Sequence, residues 1–99
     1  MKKNVFALAL CAVLSLSLLS ACGGKKGATV KVGASPTPHA EILEVAKELL
    51  AKQDITLEIV KYDDYNLPND NVEDGQLDAN YFQHITYMNG YNRDAGTHL

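Results

Sequence analysis

Between Thr29 and Tyr62 the spacing of apolar residues changes twice, and that change limits the chain to few folds. Thr29-Val30-Lys31-Val32-Gly33 reads as a short strand, rich in β-branched residues and closed by a glycine. Ala34-Ser35-Pro36-Thr37-Pro38-His39 interrupts it, because two prolines cannot donate to a sheet ladder. Pro38 suits the first helical position, with Thr37 before it as N-cap. From His39 to Lys52, Ile42, Leu43, Val45, Ala46, Leu49 and Leu50 recur at helical spacing. Glu41, Glu44, Lys47 and Glu48 fill the opposite face. Gln53-Asp54 ends the helix, Asp being among the few residues besides Gly that tolerate a left-handed backbone. Ile55 to Tyr62 returns to period two, with Ile55, Leu57 and Ile59 on one side and Thr56, Glu58 and Val60 on the other. Strand, helix, strand predicts a βαβ unit of the α/β class, its strands parallel and its crossover right-handed.

The remainder extends that unit. Asp63 to Asn69 is a loop of turn formers, Pro68 to Asp74 a short helical turn stopped by Gly75, and Gln76 to Phe82 a third strand. A further helix is expected to start in His84 to Asn92. In open parallel sheets ligands bind beyond the carboxyl ends of the strands. Three loops leave those ends, bringing Ser35, Thr37 and His39, then Asp63, Asp64 and Tyr65, then Asn80, Tyr81, Phe82 and His84. If residues 80–84 are extended, Asn80, Phe82 and His84 share one face, with Tyr81 and Gln83 on the other. Rings, an amide and an imidazole suit a small molecule with one apolar and one polar end. On the alternative reading Tyr81 and Phe82 are core aromatics and His84 only caps the next helix.

The first residues serve another purpose. Lys2 and Lys3 precede an apolar run from Val5 to Leu19, which ends in small residues, the layout of an export signal. The run falls short of the roughly 20 residues that cross a bilayer. Leu19-Ser20-Ala21-Cys22 resembles the lipobox of bacterial lipoproteins, in which the cysteine becomes a lipidated N-terminus. The boundaries that follow are a lipoprotein signal peptide over 1–21, a flexible Gly/Lys tether over 22–28 and a single domain over 29–99. Cys11 leaves with the signal, so Cys22 remains the lone cysteine and no internal disulfide can form. Each buried methylene of its acyl chains contributes about 0.8 kcal/mol of membrane affinity. The expected location is a bacterial cell membrane, with the domain on its extracytoplasmic side.

Composition and spacing exclude several classes. Without Lys2 and Lys3, seven Lys/Arg face twelve Asp/Glu, a net charge of −5 that argues against a nucleic-acid partner. Ser35 and His39 have no paired carboxylate in sequence, so no enzyme is expected. His39, His84 and His98 lack metal-ligand spacing, and neither a metal nor a cofactor is expected.

Three runs carry a family resemblance: Val30 to Leu43 (VKVGASPTPHAEIL), Asp64 to Asn69 (DYNLPN) with Asp74-Gly75, and Leu77 to His84 (LDANYFQH). Together they resemble the NlpA-type, methionine-binding lipoproteins. Asp54, where the family usually has Gly, and the acidic Asp70-Asn71-Val72-Glu73-Asp74 depart from it at the surface. The resemblance implies the substrate-binding component of an ABC importer for methionine or a related amino acid, with a permease as partner. It implies a type II periplasmic-binding-protein fold, two α/β lobes closing on the ligand, of which residues 29–99 would be an incomplete N-terminal lobe. It also implies Tyr65, Asn80, Tyr81, Phe82 and His84 as ligand contacts on this lobe. Family members are two to three times longer, so the opposing lobe is expected to lie outside this chain and residues 22–99 alone to bind methionine weakly or not at all. The competing expectation is a lipid-anchored fragment with an interaction or antigenic role and no ligand. Lipidation has a direct test: Cys22→Ser is expected to move the protein from the membrane to the soluble fraction. Continued sedimentation with membranes would reject the anchor.

Overall fold

The computed structural model describes residues 27–99, so the signal, Cys22 and most of the tether lie outside the described residues. Three parallel strands form a sheet in the order β2-β1-β3. Strand β1 (Ala28–Ala34) is central, pairing with β2 (Ile55–Lys61) along its whole length and with β3 (Ala79–Tyr81) at its carboxyl end. The register sets Val30 beside Leu57 and Val32 beside Ile59, so these side chains share one face. Val32, Ala34 and Leu57, only 3% exposed, form the core there.

Between β1 and β2 runs helix α1 (Glu41–Ala51), entered through a wide turn over Pro36–Ala40. The expected start needs correcting. Thr37 is extended, as an N-cap is, but its hydroxyl donates to the Glu41 carboxylate at 2.8 Å rather than to a backbone N–H. The turn is closed instead by the Ala40 N–H on the Ser35 carbonyl at 2.9 Å. At the other end Asp54 takes the left-handed conformation (φ 58), as its place after the helix suggests. Leu43, Ala46 and Leu50 are half-buried, whereas Ile42, Val45 and Leu49 make a stripe more than half exposed.

After β2 come α2 (Leu67–Glu73) and, following β3, α3 (Ile85–Ala95). Asp64 Oδ1 accepts the N–H groups of Asn66 and Leu67 at 2.7 and 2.6 Å, which sets the entry to α2. The third strand is shorter than the expected Gln76–Phe82. Both the Gln76 and Leu77 N–H groups are spent on the Asn71 carbonyl, at 2.8 and 3.0 Å, so neither is free for a ladder. Leu77 turns inward, 4% exposed, and Asp78 makes the first contact with β1, donating to the Lys31 carbonyl and accepting its N–H. Among the described residues no helix is long and apolar enough to cross a membrane.

Leu77 and Tyr62 both close over Gly33. A Cβ built there would lie 2.6 Å from Leu77 Cδ1 and 2.9 Å from Tyr62 Cε2. Overpacked core positions lose about 1–3 kcal/mol. Gly33→Ala is expected to destabilise the domain by about that much in urea unfolding, and an unchanged midpoint would refute the packing argument.

Candidate functional site

Because β1 pairs with both neighbours in parallel, Ala34 lies level with Lys61 on one side and Tyr81 on the other. The three loops beyond these residues therefore open at the same edge, as the βαβ reading requires. They enclose a cleft of about 360 Å³. Ser35, Thr37, Pro38 and His39 line it from the first loop, Tyr65 from the second, Phe82, Gln83 and His84 from the third, and Tyr87 from α3.

One wall is aromatic. The rings of Tyr65 and Phe82 lie parallel, 5.8 Å apart between centroids with 5° between their planes. Tyr87 meets Phe82 edge-on at 6.2 Å, and its hydroxyl reaches the Tyr65 carbonyl at 3.3 Å. The polar side carries two imidazoles. His39 Nδ1 lies 2.6 Å from Ser35 Oγ, and its ring meets that of Tyr81 edge-on at 4.6 Å. His84 occupies the N-cap position of α3 in an extended conformation, and its side chain makes no capping hydrogen bond.

The sequence-derived candidates thus separate into two groups. Tyr65, Phe82 and His84 come together on the cleft. Asn80 and Tyr81 are not among its lining residues: the Asn80 amide donates to the Pro68 carbonyl (3.1 Å) and Asn69 Oδ1 (2.9 Å), while Tyr81 stands behind His39. The expected alternation over residues 80–84 fails because the strand ends at Tyr81. Gln83 consequently lies with Phe82 and His84 on the cleft, not opposite them, and its Nε2 is bonded to Asn80 Oδ1 at 3.2 Å. Asp63 does not line the cleft, and Asp64 is committed to the start of α2. Tyr87 was findable from sequence, since a helix begun at His84 returns its third residue to the same side.

Some of the charged groups outside the cleft are paired. Arg93, the chain's single arginine, binds its neighbour Asp94 at 2.9 Å, and that carboxylate holds the guanidinium pKa above its usual value. Glu73 accepts both the backbone N–H of His98 (2.9 Å) and its ring Nδ1 (2.7 Å), hydrogen bonds that hold the Glu73 carboxyl below its usual range. His98 is thus tied to α2, apart from His39 and His84. Tyr91 donates to the Asp70 carboxylate, linking α3 to α2 behind the aromatic wall.

A parallel sheet with its side chains gathered beyond the carboxyl strand ends marks a lobe of the type II binding-protein class. The likeness is to members of one family: residues 30–99 match the NlpA lipoprotein family profile, and the chain belongs to that family. It is 41% identical over 91 residues to the methionine-binding lipoprotein MetQ of Bacillus subtilis, an alignment covering 87% of this chain and 33% of that protein. It is 39% identical over 93 residues to the membrane lipoprotein TpN32 of Treponema pallidum, covering 93% of this chain and 35% of that one. Among solved structures, a Ruminococcus gnavus lipoprotein superposes with a TM-score of 0.70 at 56% identity, over 71% of this chain and 29% of that chain. Lipoprotein Tp32 of Treponema pallidum gives 0.68 at 40% identity, over 73% and 30%. The chain therefore spans about a third of the length of the curated relatives it matches.

The Tyr91–Asp70 bond has a measurable consequence. The hydrogen bond to Asp70, then burial, then the carboxylate's charge push the Tyr91 pKa up to about 12. A raised value in the folded state means that this bond supports folding below the ordinary tyrosine range and is lost as pH rises through about 12. Phenolate absorbance is expected to show Tyr91 ionising at the alkaline end of the titration. Asp70→Asn should bring that ionisation down, and an unaltered curve would reject the assignment.

Proposed function

We propose that this chain is substrate-binding material of a lipoprotein that captures methionine, or a related amino acid, for an ABC importer. The supporting observation is the parallel Tyr65–Phe82 pair beside a cleft whose other side carries His39 and His84. A thioether is polarisable and makes favourable contacts with aromatic rings, about 0.3–1.5 kcal/mol each. Tyr65 and Phe82 would hold the side chain of the amino acid. His84, with the uncapped N–H groups at the start of α3, would hold its polar end, since a helix N-terminus favours a carboxylate. Asn80 and Tyr81 would act through Gln83 and His39, which they touch. The methionine-binding relative carries the same inference from a separate direction.

On this proposal residues 1–21 direct export, acylated Cys22 and residues 22–28 tether the domain to the membrane, and a permease receives the ligand. The chain binds and does not catalyse. A second reading, a lipid-anchored partner in protein interactions, draws its support from the exposed Ile42, Val45 and Leu49 stripe.

Titration of the isotope-labelled chain with L-methionine separates the two readings. Chemical shifts of Tyr65, Phe82 and His84 are expected to move together, and L-alanine, which lacks the thioether, to move them far less. His84→Ala should weaken the response about tenfold, the equivalent of one lost hydrogen bond to a charged group. Weak shifts at these residues accord with one wall of a larger site, whereas shifts confined to α1 would reject the amino-acid site.

A further inference from the structure

We infer that Asn69, Asn80 and Gln83 form a positioning clamp that sets the Tyr65–Phe82 wall of the cleft. None of the three need touch a ligand. Asn69 is fully buried at the start of α2, the one buried polar side chain among the described residues. It pairs reciprocally with Gln83: Asn69 Nδ2 donates to Gln83 Oε1 at 2.9 Å, and Gln83 Nε2 donates to Asn69 Oδ1 at 2.7 Å. Asn80 closes the ring, receiving the second Gln83 N–H at 3.2 Å and donating to Asn69 Oδ1 at 2.9 Å.

One backbone atom orients all of these bonds. The Pro68 carbonyl can only accept, so the Asn80 group 3.1 Å from it must be the NH2. That NH2 also faces Asn69, which makes the facing Asn69 atom its oxygen. The oxygen in turn requires the Gln83 NH2 opposite it. Reversing any one amide would set donor against donor or oxygen against oxygen. The clamp therefore has a single arrangement, and both N–H groups of Gln83 are spent within it.

Its location gives the clamp its purpose. Sheet pairing stops at Tyr81, so no ladder holds Phe82, Gln83 and His84. Tyr65 sits in a loop, ahead of α2. The amides join these two segments ahead of α3, where Tyr87 and Tyr91 link them again, and each residue of the clamp lies one to four positions from a cleft residue. A buried polar group is costly unless satisfied, and a satisfied network favours one arrangement over near alternatives. Here that arrangement is the 5.8 Å, 5° ring stack. The inference rests on the proposed binding role for what the wall is used for, but not for how the wall is held.

Ring-to-ring NOEs between Tyr65 and Phe82, in the full chain without ligand, test the clamp. Gln83→Met keeps the length of the side chain and removes its three hydrogen bonds. It is expected to abolish those NOEs while NOEs across β1 and β2 persist. Gln83→Glu gives a readout that packing alone would not move. Protonated, the introduced carboxyl accepts from Asn69 Nδ2 and donates its one O–H to an amide oxygen, keeping two of the three bonds; ionised, it can only accept and faces the oxygens of Asn69 and Asn80. The stack should therefore be present in acid and absent at neutral pH in Gln83→Glu alone. Wild type at the same pH values controls for His39, His84, Tyr65 and Tyr87 in the cleft, for Asp64 beside Tyr65 and for Asp70 beneath α3. A stack that persists in Gln83→Met, or that ignores pH in Gln83→Glu, overturns the clamp, and should Gln83→Met unfold, the Gln83→Glu comparison decides. In the methionine titration the Gln83 variants should lose about tenfold in affinity, the equivalent of one displaced contact. If wild type responds to methionine only at α1, the binding role falls, while the NOEs still decide the clamp.

Discussion

The carboxyl end of β1 is the constraint on which the rest depends. Gly33 and Ala34 are small and fully enclosed, and three separate parts of the chain converge on them. Leu77 and Tyr62 close over Gly33, the Tyr62 N–H bonds the Ala34 carbonyl at 2.9 Å, and Tyr81 pairs level with Ala34. Larger residues here would push the two outer strands away from the centre, and the loops that make the cleft would no longer leave from one edge. The cleft is thus a product of close packing beneath it as much as of the residues that line it.

A division of labour follows between apolar and polar forces. Val32, Leu57 and Leu77 bury surface and hold the sheet together, a force with no directional preference. Beyond the strand ends, where the ladder has stopped, position is specified by side-chain hydrogen bonds. Asp64 sets the entry to α2, Ser35 pins His39, and the amides of Asn69, Asn80 and Gln83 hold the third loop. Tyr91 on Asp70 and His98 on Glu73 do the same for α3 and the segment after it.

Period and turn chemistry made most of the fold readable from sequence. Two strands, the long helix, the turn at Gly75 and the parallel pairing all follow from local pattern, because each is dictated by which side chains must face the core. Long-range bonds were not readable. Asn71 consumes the donors of Gln76 and Leu77 and shortens β3 to three residues, and no local rule signals such a contact across five positions of loop and helix. At its other end the strand stops at Tyr81, which leaves Gln83 on the cleft, while Asn80 turns to Pro68 and Asn69. Residue type pointed to Tyr65, Phe82 and His84, all of which line the cleft, whereas amides, which serve equally as ligands and as struts, were harder to assign. The proposed ligand class rests on the family resemblance, since pattern alone leaves it open.

The placement of Gly27 has a consequence for electrostatics at a membrane. It precedes β1, whereas the cleft opens after β1, and seven extended residues separate the two ends by roughly 23 Å. Physiological salt screens charge over about 8 Å. If the proposed anchor at Cys22 holds the domain from its amino-terminal side, the cleft edge lies some three screening lengths from Gly27. On that proposal the surface potential of anionic headgroups would be largely screened at the cleft edge of a domain standing upright on its tether.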